Sequence, residues 1–559
     1  MVLLPPVDSL TLAEQVAQMV VVRASGHLFD HQIQYPAWEP PLATLQHWIK
    51  DLGVGGVIFL GGSVAELALR TQQLQDWAAV PLLMAADVEE GVGQRFSGAT
   101  WFPPPMALGA IAHTNLPLAQ QYAADMGAAI ARESLAVGLN WVLAPVVDVN
   151  NNPKNPVINV RALGENPEVV GALAKAFIQG AQPYPVLTCA KHFPGHGDTA
   201  TDSHLELPLI PHGRDRLNRL EWPPFRDAIA AHVDSVMSAH LLLPTLDEHY
   251  PATLSPRILT GELRQGMGFE GLIVTDALVM GAITNRYGAN EAPVLAVEAG
   301  VDILLMPVDP EGAINAVIEA VECGRITPER IRESVERIWQ AKHKIAQTRV
   351  SGDAGHAWEN LAPPGLEAQA LTEQLYQPEA IATAQNILHA SMQVHQPQSS
   401  FQMAPGSRNL IVMDDALRGD GLTHQSPAIA LPRQWGCSLQ ICDRYNANSP
   451  GSDHPPTLLQ LFIRGNPFRG SAGLSETAQT WLEALLQAER LEGLMIYGSP
   501  YILHAFRARL PESVPYVFTF GQTDVAQAIA LQALTGDAQT DASSWGVTVE
   551  GQLGRFSTR

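Results

Sequence analysis

From the N-terminus to about residue 345, short apolar runs rich in β-branched residues alternate with longer stretches of helical periodicity. Eight such runs stand out, at 19–23, 55–60, 82–87, 140–148, 186–192, 235–240, 272–276 and 302–306. Alternation of this kind predicts a parallel sheet covered by helices, because parallel strands need a crossover element between them. Eight strands over this length predict a (β/α)8 TIM-type barrel rather than an open dinucleotide-binding sheet, which uses fewer strands and an early phosphate loop. Gly53-Val-Gly-Gly56 is too irregular for such a loop and reads as close backbone approach at a strand start. Thr11-Leu-Ala-Glu14 has capping-box spacing, which predicts a helix before the first strand, at the barrel floor.

Beyond the eighth run, Ser351-Gly-Asp-Ala-Gly355 and Pro363-Pro-Gly365 gather helix-breaking residues. They predict a linker at 349–372 between a catalytic barrel domain, 1–348, and a C-terminal domain, 373–559. The latter offers a helix at 378–392 and five strand-like runs at 410–413, 439–442, 458–463, 494–497 and 516–520. Helical stretches such as 476–491 lie between some of them, so a smaller three-layer α/β/α domain is expected. It carries no catalytic motif, and a structural or docking role is expected for it.

Composition narrows the function classes. With 559 residues, 46% hydrophobic and 16% charged, the chain can bury a large core and is too long for one ordinary domain. A formal net charge of −22, without any long Lys/Arg run, repels a phosphate backbone and an anionic membrane surface, so neither nucleic acid nor membrane is an expected partner. Cys189, Cys323, Cys437 and Cys442 form no CxxC pair and read as buried thiols of a reducing compartment. The N-terminal Met1-Val-Leu-Leu-Pro-Pro-Val-Asp8 lacks a basic segment followed by a long apolar one, and no apolar stretch approaches ~18 residues, so a cytoplasmic location is expected.

In a barrel, polar residues at the C-terminal ends of strands face the site, whereas strand interiors are apolar. Here five runs end in a charged or imidazole side chain: Asp87, Asp148, Lys191-His192, His240 and Asp276. Taken together they predict one pocket. The densest segment, Lys191-His-Phe-Pro-Gly-His-Gly-Asp-Thr-Ala-Thr-Asp-Ser-His204, holds three histidines, one lysine and two aspartates in fourteen residues. Pro194, Gly195 and Gly197 exclude a continuing helix, so this is a loop able to move over a ligand. Asp202 can approach His204 in a turn, accept from Nδ1 and leave Nε2 for proton transfer near neutrality. Asp276 is a candidate carboxylate nucleophile, with Lys191, Arg161 or Arg95 able to keep it ionised.

These residues resemble glycoside hydrolase family 3, specifically its β-N-acetylglucosaminidase branch. The resemblance rests on Lys191-His-Phe-Pro-Gly-His-Gly197 followed by Asp202-Ser-His204, and extends through Ala144-Pro-Val-Val-Asp148 and Ser235-Val-Met-Ser-Ala-His240 over most of 10–345. It implies a retaining, exo-acting β-N-acetylglucosaminidase with Asp276 as nucleophile, His204 as acid/base and Asp202 as its orienting partner. It also implies that Asp87, Arg95, Arg161, Lys191 and His192 bind the terminal sugar, with no cofactor or metal. The expected ligand is a small saccharide or muropeptide derived from peptidoglycan, and no obligate protein partner is evident. Where many relatives carry Gln-Glu-Gly-Gly-Arg, this chain has Val88-Glu-Glu-Gly-Val92, so one arginine is absent.

Three rival readings remain open. The same site could act as a phosphorylase, because a neutral imidazole repels incoming phosphate less than a carboxylate does. A metal-dependent barrel hydrolase could draw ligands from His192, His196, His204, His240 and Asp276. A non-catalytic sugar-binding protein would not require an acid/base beside a nucleophile.

Overall fold

The computed structural model describes residues 4–199, 207–346, 371, 373–397, 401–416, 422–446, 455–464 and 476–536. Its first unit is an eight-stranded parallel barrel: β1 (Val20–Ser25), β2 (Gly56–Leu60), β3 (Leu83–Ala86), β4 (Trp141–Val142), β5 (Leu187–Phe193), β6 (Ser235–Ser238), β7 (Leu272–Thr275) and β8 (Leu304–Leu305). Each strand from β2 to β7 pairs with its predecessor, and β8 pairs with β1. A parallel bridge between Val274 and Ile303, with Thr275 N–H donating to Ile303 O at 3.1 Å, closes the ring. Closure leaves no sheet edge, and the strands are buried almost throughout, as their continuous Val/Ile/Leu/Ala composition requires.

The expected helix before β1 spans Leu12–Gln18, and both halves of its capping box form: Glu14 N–H donates to Thr11 Oγ1 at 3.3 Å, and Thr11 N–H donates to Glu14 Oε2 at 2.7 Å. The fourth strand is shorter than the run 140–148 that predicted it. Pro145 has no N–H to give to a ladder, and past Val142 the chain keeps only single contacts, such as Val147 N–H to Lys191 O at 2.8 Å.

The second unit is a six-stranded sheet in the order β11-β10-β12-β13-β14-β9, formed by β9 (Gln393–His395), β10 (Arg408–Met413), β11 (Ser438–Cys442), β12 (Thr457–Ile463), β13 (Leu491–Gly498) and β14 (Tyr516–Thr519). All its pairs are parallel except β14 with β9. The sequence predicts five of these strands. It misses β9, which has only three residues and no fully buried position to give it a pattern. The expected linker 349–372 lies outside the described residues except for Leu371. Just after it, Tyr376 N–H donates to buried Glu133 Oε1 at 2.9 Å, and the helix Pro378–Ser391 packs on the long barrel helix Met106–Ala136.

One thiol departs from expectation: Cys323 is exposed, whereas Cys189, Cys437 and Cys442 are buried. Cys323 sits at the C-terminal cap of the helix Pro310–Glu322, where the chain turns outward into Gly324. Among the described residues, no helix is long and apolar enough to cross a membrane.

Candidate active site

The polar strand ends converge at the C-terminal mouth of the barrel. Asp87 follows β3 directly, and β5 carries Lys191 and His192. The Lys191 ammonium, 1% exposed, lies 2.7 Å from Asp87 Oδ1 and 2.6 Å from Glu89 Oε1. Glu89 also accepts from Arg161 Nε and Nη2, at 2.8 and 2.7 Å, in a planar two-point contact. Arg161 ends the short turn Asn159–Arg161, where Nη1 donates to Val157 O, and Arg95 Nε donates to Asp87 O at 2.9 Å. Asp87 is the accessible member of this group, its side chain 35% exposed.

Burial opposes charge on Glu89, but Arg161 and then Lys191 outweigh it and hold its carboxyl well below the usual range. Burial likewise works against the Lys191 ammonium, and Asp87 and Glu89 overcome it, so its pKa is raised. Lys191 and Arg161 are therefore each matched by a carboxylate of the segment after β3.

On the β4 side, fully buried Asp148 collects three groups of the β5 loop. His192 Nδ1 lies 2.7 Å from Oδ2, the His192 N–H donates to both oxygens at 3.2 Å, and the His196 N–H donates to Oδ1 at 2.7 Å. Burial would raise the Asp148 carboxyl, but His192 leads the groups that bring it below its ordinary value. A carboxylate on Nδ1 fixes the imidazole tautomer and leaves Nε2 for other contacts. Both the Lys191–His192 and Phe193–Pro194 peptides are cis.

The loop stem after β5 is pinned. Asn155 Nδ2 donates to His196 O and Gly197 O at 2.8 and 2.9 Å, and a Cβ on Gly197 would meet Val149 O at 1.7 Å, which demands glycine there. Asp198 lies 2.7 Å from His212 Nε2 and 3.0 Å from Arg216 Nη2. The His196 ring meets His192 edge-on at 6.1 Å, and burial pushes its pKa down to about 4. Asp202 and His204, the expected acid/base pair, lie outside the described residues.

Asp276 directly follows β7 and is half-buried. Its N–H donates to Ser238 O at 3.1 Å, and its Oδ1 accepts from Ala277 N–H at 2.7 Å. The next carbonyl, Ala277 O, lies 3.1 Å from His240 Nε2, while His240 Nδ1 lies 2.8 Å from Thr253 Oγ1. His240 thus braces the turn that presents Asp276. Among the described residues, no group of three or more metal-ligating side chains converges.

Sequence reasoning missed three residues of this network and the contact made by a fourth. Glu89 holds two of the expected sugar ligands, and its spacing of two from Asp87 was the available signal. Asp148 was recognised as a strand end, without its role under His192. Arg464 and Tyr501 come from the second unit: Arg464 lies 2.5 Å from Glu90, and Tyr501 Oη donates to Glu165 Oε1 at 2.6 Å. Arg464 immediately follows the buried strand β12, so the strand-end rule applied to the first unit would have found it.

Comparisons with known proteins bear on the family and the fold. Residues 11–341 match the N-terminal domain of glycosyl hydrolase family 3, and residues 400–536 match the bacterial C-terminal domain of that family. Beta-hexosaminidase A of Pseudoalteromonas piscicida is 35% identical over 343 residues, which cover 56% of this chain and 56% of that protein. A beta-N-acetylglucosaminidase/beta-glucosidase of Cellulomonas fimi is 29% identical over 363 residues, 62% of this chain and 60% of that one, so the match spans little more than half the length of these relatives. The solved structure of a family 3 beta-N-acetylglucosaminidase from Paenibacillus sp. str. FPU-7 superposes with a TM-score of 0.74 at 29% identity, covering 95% of this chain and 97% of that chain. Since the family's N-terminal domain accounts for more than half of its residues, the chain belongs to glycoside hydrolase family 3.

Proposed function

We propose that this chain is a retaining, exo-acting β-N-acetylglucosaminidase that removes terminal N-acetylglucosamine from peptidoglycan-derived saccharides, with residues 1–348 as its catalytic unit. The observation that carries the reading is the mouth itself. A half-buried carboxylate, Asp276, follows β7, and the ends of β3 and β5 at the same mouth carry the charges of Asp87, Glu89 and Lys191, with Arg161 paired to Glu89, and the Asp148-held His192. The Paenibacillus relative's name, a beta-N-acetylglucosaminidase, supports the acetamido sugar, and the Pseudoalteromonas piscicida relative's name, a beta-hexosaminidase, supports a hexosamine.

In this mechanism Asp276 attacks the anomeric carbon while His204, oriented by Asp202, protonates the leaving oxygen. A glycosyl-enzyme ester forms and the leaving sugar departs with the proton. His204 then takes a proton from water, whose oxygen attacks the same carbon and releases Asp276. Ala277 N–H on Oδ1 favours the ionised carboxylate that attack requires. Asp87, Arg95, Arg161, Lys191 and His192 hold the terminal sugar. For a cytoplasmic enzyme, recovered cell-wall fragments are the expected supply.

Release of nitrophenol from matched aryl β-N-acetylglucosaminide and aryl β-glucoside, each with and without phosphate, tests the reading. A strong preference for the acetamido sugar with free N-acetylglucosamine as product supports it. Equal rates or a glucose preference would overturn the substrate, and sugar 1-phosphate as the main product would replace hydrolysis with phosphorolysis.

A further inference from the structure

The geometry points to Arg464 of the second domain as a positioning residue for the saccharide site, acting through Glu90 on the segment 87–95 that presents Asp87, Glu89 and Arg95. The inference rests on the function proposed above and assigns the second domain a part in it.

Arg464 is the first residue after β12, and its guanidinium makes a two-point contact with Glu90, Nη2 to Oε1 at 2.5 Å and Nη1 to Oε2 at 3.1 Å. The Glu90 side chain is fully buried, and a carboxylate there requires a charged partner or dense hydrogen bonding. Trp101 Nε1 adds one hydrogen bond to Oε2 at 3.0 Å. The backbone of Glu90 is tied on both sides: its N–H donates to Gln94 Oε1 at 3.0 Å, and its carbonyl accepts from Phe102 N–H at 2.7 Å. Glu90 is thus fixed at both its side chain and its backbone, one residue from Glu89, so the Arg464 contact is part of what holds this segment in place.

Charge explains why this matters for the sugar ligands. Asp87, Glu89 and Glu90 are met by Lys191, Arg161 and Arg464, three carboxylates by three cations. Arg464 is close enough to feel the charges of both Glu89 and Arg161. Without it, Glu90 would be a buried, uncompensated anion one residue from Glu89, which holds Arg161 and Lys191. The segment has no arginine of its own between Val88 and Gln94, so the compensating cation comes from the other domain.

A second contact independently ties the same domain to the neighbouring loop. Tyr501 Oη donates to Glu165 Oε1 at 2.6 Å and accepts from Asn150 Nδ2 at 2.7 Å, and Asn150 Oδ1 accepts from the N–H of Asn159, two residues before Arg161. The residue after β12 and the first turn of the helix Pro500–Phe506, which follows the adjacent strand β13, thus touch both loops that supply the buried charge network.

The test uses the full chain, with kcat and KM measured on the aryl β-N-acetylglucosaminide and thermal unfolding followed alongside. Arg464→Met is expected to raise KM by about tenfold or more. The neutral pair Arg464→Met/Glu90→Gln, which removes the uncompensated anion but keeps a Trp101 acceptor, is expected to recover most of that loss. If Arg464→Met does not fold, Arg464→Lys serves, with an expected KM rise of roughly threefold or more because a point charge cannot make the two-point contact. A KM within about twofold of the parent would overturn the inference even if melting falls, since that is what a purely structural bridge gives. Failure of the neutral pair to recover KM would overturn the route through Glu90. A parent chain that prefers the glucoside defeats only the substrate reading, and the variants are then compared on that sugar.

Discussion

Glu89 receives Arg161 Nε and Nη2 at 2.8 and 2.7 Å while its side chain is only 1% exposed. The carboxylate is the common anchor of Arg161 and Lys191, so removing its charge leaves two cations competing for Asp87. We predict that Glu89→Gln costs about 3–5 kcal/mol of stability, the range for breaking a buried pair by deleting one partner. It should also raise KM for the aryl N-acetylglucosaminide more than it lowers kcat. Urea unfolding and steady-state kinetics check both parts, and a stability loss with KM unchanged would separate Glu89 from sugar binding.

Asp276 and His204 are assigned different bond-making roles, and leaving-group chemistry separates them. Asp276→Asn removes the nucleophile and is expected to abolish turnover of every substrate. His204→Ala should still cleave dinitrophenyl glycosides, whose leaving group needs no proton, while losing at least about a hundredfold on unactivated saccharides. Equal loss of both variants on the activated substrate would show that the two roles have been misassigned.

Buried His196, its pKa pushed down to about 4, makes the fold acid-sensitive. In the unfolded chain the imidazole takes up a proton below roughly 6.5, whereas the folded protein resists until about 4, so protonation drives unfolding in that window. Stability is therefore expected to be at its full value above about pH 6.5 and to fall by on the order of 3 kcal/mol as the pH drops to about 4. Denaturation curves for the parent and His196→Gln across that range should converge toward acid. Parallel curves would rule out this histidine as the origin of the sensitivity.

What the sequence revealed follows from the geometry of a parallel barrel. A strand's last residue lies at the mouth wherever the strand ends, so the placement of Asp87 after Ala86 and of Asp276 after Thr275 at the barrel mouth was legible from pattern alone. Asp148 lies six residues beyond β4, and there the run misled about the strand while still marking the residue. Asp198 with His212 and Arg216, or Glu90 with Arg464, could not be paired from sequence. Their partners are side chains on separate elements, in the second case 374 residues apart, and only tertiary docking brings them together. Strand β9 escaped for the opposite reason, having too few residues for a period of two to register.

Lys342 lies outside the mouth, on the helix Pro328–Ala346, fully buried with its ammonium donating to Gln18 Oε1 at 2.6 Å and 5.5 Å from the centre of the Trp339 ring. Among the described residues no carboxylate offsets its desolvation, which brings its pKa down to about 7. Between about pH 7 and the ordinary lysine value near 10.4, the unfolded chain binds a proton that the folded protein does not, so stability should rise with pH by about 1 kcal/mol per unit from this group. Lys342→Met deletes the titration and keeps most of the volume. The variant leaves Gln18 Oε1 without its donor at every pH, a constant cost that does not alter the slope. Its stability relative to the parent is therefore expected to be most favourable at pH 7 and to worsen steadily toward pH 10. Denaturant unfolding at pH 7, 8.5 and 10 reads this directly, and a difference that stays constant across the three would mean that Lys342 keeps its proton in the fold.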